Sequence, residues 1–169
     1  MALSAQKHLR HIKSLSEVST VGGQDQASLK RTQYLGPRVM VSAELIHQGS
    51  NKNLDSSERY ALGGVYGVRS YPTGEGVVDE ALALNVEAKY QVAHWLVASA
   101  FYNLGEGKRS QDPYTSGDND VDLAGYGIGL KLSRGSLFTE LIAAQRITDE
   151  PLSAPDKSPR VWIRAGWSF

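Results

Sequence analysis

The sequence has no cysteine, which removes disulfides, thiolate nucleophiles and cysteine-ligated zinc. It has no net charge, since 18 Lys and Arg stand against 18 Asp and Glu. Bulk attraction to nucleic acid or to an acidic surface is therefore not expected. No apolar run approaches the roughly 18 residues of a membrane helix. A transmembrane barrel stays open, because each of its strands needs only about ten residues of alternating polarity. Residues 1–18 have no continuous apolar stretch and no small-residue cleavage site, so they do not read as a signal peptide. Catalytic signals are absent too. No Ser-His-Asp order suggests hydrolysis, and the glycines at 125, 127 and 129 lack the spacing of a dinucleotide fingerprint. Asp118, Asp120 and Asp122 alternate as in a calcium loop, but without its glycine and distal glutamate. The expectation is no enzyme activity, no cofactor and no metal.

What is present is a period of two. In "RVWIRAGWSF" Val161, Ile163, Ala165 and Trp167 share one face, and Arg160, Trp162 and Arg164 the other. "ALALNVEAKY" sets Leu82, Leu84, Val86 and Ala88 against Asn85, Glu87 and Lys89. "PRVMVSAELI", "HWLVASAFYNLG", "LAGYGIGLKL" and, less cleanly, "SLFTELIAAQRI" behave alike. These segments are about ten residues long, twice the usual soluble strand. Tight connections at 36–37, 91–93 and 134–136 alternate with long ones at 48–80, 106–121 and 148–159. That layout predicts an all-β fold: an antiparallel transmembrane β-barrel segment of about seven strands. Residues 24–169 form the barrel part, with a long loop at 49–80. Residues 1–23 are expected to be poorly ordered or a short helix, with Leu9, Ile12 and Leu15 as its stripe.

The motifs resemble a family. "NLDSSE" (53–58), "LGG" (62–64), "VRSY" (68–71) and "NVEAKY" (85–90) follow one another in order, preceded by "LKRTQYL" (29–35) and followed by "FYNLG" (101–105) and "GYGIGL" (125–130). This series is similar to the outer-membrane transporters of two-partner (type V) secretion, of the haemolysin-secretion and filamentous-haemagglutinin type. Ser70 and Lys89 are variants within it. The resemblance implies a barrel of roughly sixteen strands, of which this chain holds the C-terminal portion. It also implies a missing N-terminal half with POTRA domains and an outer-membrane location. The implied partners are a secreted β-helical exoprotein of haemolysin or adhesin type, outer-membrane lipid and the barrel-assembly machinery, which would read Phe169 as a terminal signal.

The resemblance implies that the long loop at 49–80 folds inward, into the lumen, with its arginine pairing an acidic residue of the wall. Gly63, Gly64 and Gly67 allow close packing, and Val68, Arg69 and Tyr71 anchor the loop in the lumen. The family's acidic partner for this arginine falls at Asn103, which is neutral, so Glu87 and Glu140 are the candidate substitutes, with Glu140 favoured. Two other readings remain: a soluble β-barrel or meander that binds apolar ligands, and a non-functional truncated remnant. The faces discriminate the first, because a soluble barrel would turn its apolar side chains inward.

Overall fold

A computed structural model describes residues 12–21, 24–113, 116–155 and 157–167. The strands are β1 (Ile12–Val21), β2 (Gln24–Tyr34), β3 (Val39–Ser50), β4 (Tyr60–Ala61), β5 (Val77–Val78), β6 (Glu80–Ala93), β7 (Leu96–Lys108), β8 (Asp120–Arg134), β9 (Leu137–Arg146) and β10 (Arg160–Trp167). Eight of them form one sheet in the order β1-β2-β3-β6-β7-β8-β9-β10, while β4 and β5 make a small separate hairpin. Every neighbouring pair is antiparallel. The tight turns after β2 and β8 reverse the chain at Gly36 (φ 91°) and Gly135 (φ 58°), a backbone region that glycine enters without a Cβ penalty.

The main sheet has eight strands where seven were expected. The eighth is β1, inside the segment expected to be poorly ordered or helical. Its backbone pairs along the whole of β2, from Ile12 opposite Gln33 to Val21 opposite Gln24. A row of unpaired backbone groups on β2 is satisfied by any chain that can lie beside it, and this outweighs a weak helical stripe. The strands are also longer than expected. β8 has 15 residues and β6 has 14. At about 3.3 Å per residue, β8 is roughly 50 Å long, against a hydrocarbon core of about 30 Å.

Strand register sorts the side chains into two faces. One face carries unbroken apolar rows. Val39, Tyr90, Ala98, Leu130, Leu141 and Ile163 stand side by side across six strands. Beside them runs the row Val41, Ala88, Ala100, Ile128, Ala143 and Val161. Among the described residues nothing covers this face: Ile128 is 63% exposed and Ile163 73%. The opposite face mixes charged and polar side chains with small and aromatic ones, as in the row Ser42, Glu87, Phe101, Gly127, Ala144 and Arg160.

The connection between β3 and β6 folds over this second face, and the core lies between them. Leu62, Val68, Tyr71 and Val78 of the connection are fully buried against Ala81, Ala83, Val121 and Leu123 of the wall. Burying side chains such as Leu62 and Val68 stabilises the docked loop by about 1.5–3 kcal/mol each. Wall glycines make room for it. A Cβ at Gly105 would sit 3.0 Å from Leu62 Cδ2, and one at Gly125 would sit 2.7 Å from Ser70 Cβ. The edges β1 and β10 do not pair with each other. An eight-stranded barrel is only wide enough for its own side chains, so a face already loaded with this loop has no room for closure at eight.

Candidate functional site

The loop is first tied to itself. Leu62 N donates to Gly76 O (3.0 Å), Gly63 N to Glu75 O (2.9 Å) and Val68 N to Leu62 O (2.8 Å). These bonds bring 62–68 and 75–76 together above the wall. A Cβ at Gly63 would meet Pro72 O at 2.7 Å. Gly64 has φ 114°, a backbone that an L side chain rarely adopts.

Arg69 is the residue at which loop and wall converge. Its Nη1 lies 3.1 Å from Glu87 Oε1. The guanidinium stands 3.9 Å above the centre of the Phe101 ring, a cation–π geometry. Its backbone N donates to Asn103 Oδ1 at 3.4 Å, and its backbone O accepts from Trp162 Nε1 at 2.7 Å. Three wall strands, β6, β7 and β10, therefore hold one residue. Asn103 is fully buried, and its Nδ2 donates to Asn85 Oδ1 at 2.8 Å. Neutral Asn103 thus bonds the backbone of Arg69, while Glu87 takes the charge.

Glu140, the favoured partner, is engaged elsewhere. Arg164, its cross-strand neighbour on β10, binds its Oε2 through both Nη2 and Nε, the latter at 3.0 Å. Arg164 also lies 5.4 Å from the centre of the Tyr66 ring. Glu87 has a second cation, with Lys89 Nζ 2.9 Å from its Oε2. Together with Lys30 and Glu44 these groups line a polar recess of about 280 Å³ beside the loop.

Further fastenings come from the long connections. Buried Glu75 accepts from Ser153 N (2.9 Å) and Ser153 Oγ (2.6 Å) through its Oε2. Burial pushes the Glu75 pKa up. The bonds from Ser153 and Leu152 and the charge of Arg109 more than offset this, so its carboxyl lies below the usual glutamate value. The Tyr71 hydroxyl meets Thr148 Oγ1 at 2.8 Å and Asp149 O at 2.7 Å. Burial pushes its pKa up. At the base of the loop, fully buried Asp79 lies 2.9 Å from Arg59 Nε and accepts from Gln111 N at 3.1 Å.

The structure thus gathers Gly63, Gly64, Gly67, Val68, Arg69 and Tyr71 into one folded loop and sets Arg69 on Asn103 and Glu87, while Glu140, on the same recess, pairs with Arg164. Phe169 lies outside the described residues. Sequence reasoning missed Phe101, Trp162, and the bonds from Glu75 and Tyr71 to the β9–β10 connection. The signal for the first two was an aromatic side chain on an otherwise polar face. For the others there was none, because nothing in local spacing links residue 75 to residue 153. Among the described residues no cluster of His, Asp or Glu could hold a metal ion.

The chain is similar to the heme/hemopexin transporter protein HuxB of Haemophilus influenzae. It is 32% identical over 123 residues to the protein of strain 86-028NP, which covers 69% of this chain and 22% of that protein. The same figures hold for the protein of strain ATCC 51907 / DSM 11121 / KW20 / Rd. The match thus spans about a fifth of the length of these curated relatives. Neither a protein-family profile nor a solved structure matches.

Proposed function

We propose that this chain supplies part of the wall, and the lumenal loop, of an outer-membrane pore in a two-partner secretion transporter of a Gram-negative cell. The observation that carries this is the pair of sheet faces: uncovered apolar rows six strands wide on one side, and a charged face holding a folded loop on the other. In water such rows would be costly to leave bare. Facing lipid they are the ordinary surface of a barrel wall, and the polar face then lines the lumen. A soluble ligand-binding barrel would need the reverse arrangement. The similarity to named transporters supports the same reading. Because those relatives are named for heme and hemopexin, the cargo we propose is a secreted exoprotein serving heme or hemopexin uptake, in place of the haemolysin or adhesin first expected.

The absence of native cysteine makes a direct test simple. In outer-membrane fractions, a single cysteine at Ile128 should react with a lipid-soluble maleimide. One at Ser99, on the opposite face, should react with a water-soluble reagent. The inverse labelling pattern would sink the pore reading. The cargo is tested by co-producing the transporter with a heme- or hemopexin-binding exoprotein. Release into the medium is expected, and retention in the periplasm would count against this cargo.

A further inference from the structure

Two different elements fasten the loop. Strands of the wall hold Arg69. The connection between β9 and β10 holds the opposite side, through Thr148 and Asp149 on the Tyr71 hydroxyl and Ser153 on the Glu75 carboxylate. We propose that the β9–β10 connection is a strap that keeps the loop docked, with Glu75 and Ser153 as its release latch. Both act as positioning residues, and the proposal rests on reading 49–80 as the lumenal loop of a transporter.

With the strap in place the two latch residues differ in burial. Glu75 is 3% exposed, whereas Ser153 is exposed. When the strap lifts, Ser153 moves into water at little cost. Glu75 loses two charge-assisted hydrogen bonds, and its carboxylate must take up water in their place. Its Cβ packs against Gly63, so that rehydration works against the loop's own packing. The backbone is set for this role. Gly74 (φ 86°) and Gly76 (φ 60°) flank Glu75 and fix its direction. A Cβ at Gly63 would approach Glu75 Cβ to 2.8 Å, so the loop backbone rests directly against it. Arg109, from the connection between β7 and β8, supplies positive charge toward the carboxylate. Strap and loop therefore release together, and contact with the strap from the cell surface would be felt in the lumen.

The test follows hydrogen-exchange protection of residues 62–71 in outer-membrane fractions. Ser153→Ala, at an exposed position that leaves the fold intact, and Glu75→Gln should each lower protection roughly tenfold near pH 7. A Glu75→Cys/Ser153→Cys pair should form the chain's sole disulfide and raise protection, and dithiothreitol should reverse the gain. The pH profile separates a latch from general loosening. The folded carboxyl lies below its ordinary value of about 4.5, so its contribution is complete above that pH and is lost as pH falls through the folded value. Wild-type protection should show this extra acid loss, and Glu75→Gln should not. Unchanged protection in both Ser153→Ala and the cross-linked pair would overturn the strap. If export fails while Ser153→Ala still loosens the loop, the strap stands and the pore reading falls.

Discussion

Replacing Glu87 by Gln tests how much of the loop's attachment is electrostatic. The substitution keeps an acceptor oxygen near Arg69 and removes the charge. At the observed 3.1 Å separation, the Coulomb attraction is about 5 kcal/mol at an effective dielectric near 20. Several effects reduce the net loss. Both side chains retain some water contact, with 14% and 15% exposure, so part of the charge is already solvated. Arg69 keeps its place over Phe101, worth about 0.5–2 kcal/mol. Lys89 also loses its partner, but it is 37% exposed and can turn to water. The expected loss of docking free energy is about 1–3 kcal/mol, or roughly a 5- to 150-fold rise in the undocked population. Tryptic cleavage after Arg69 reports that population when the loop recloses faster than it is cut. Glu140→Gln is the matched control. Its carboxylate serves Arg164, so cleavage after Arg69 should stay within about twofold. Unchanged cleavage in Glu87→Gln, or a loop freed by Glu140→Gln instead, would refute Glu87 as the electrostatic anchor of Arg69.

Gly125→Val should push the loop off the wall, because even a Cβ would come within 2.7 Å of Ser70 Cβ. Cleavage after Arg69 should rise at least about tenfold, and unaltered cleavage would show that the loop does not rest there. Ser70→Ala removes a buried hydroxyl that has no hydrogen-bond partner. Docking should strengthen by about 1 kcal/mol, measured as slower cleavage, and faster cleavage would mean that the hydroxyl has a partner in the membrane. In planar bilayers the 169-residue chain alone should give no stable channel steps, because both edges of its sheet are unpaired. Reproducible steps would show that it closes without further strands.

What the sequence by itself determined was everything that depends on neighbours along the chain. Alternation identified β3, β6, β7, β8 and β10 and sorted their faces correctly, because in a strand the side of a residue follows from its parity alone. Loop lengths gave the up-and-down order for the same local reason. β1 escaped because its pairing depends on β2's free edge more than on its own side chains. The glycines at 125, 127 and 129 could be suspected of making room for the loop, but the tertiary structure shows what fills each space: Ser70 of the loop at Gly125, Phe101 at Gly127 and Ser99 at Gly129. Tertiary structure alone decided the partners. Arg69 had three candidates on inward positions, and parity could not rank them. Register places Glu140 opposite Arg164, which claims it, and leaves Glu87 within reach of Arg69. The bond between Glu75 and Ser153 spans 78 positions. It exists because two long connections leave the same end of the sheet and meet over one of its faces, a consequence of folding that no spacing in the sequence encodes.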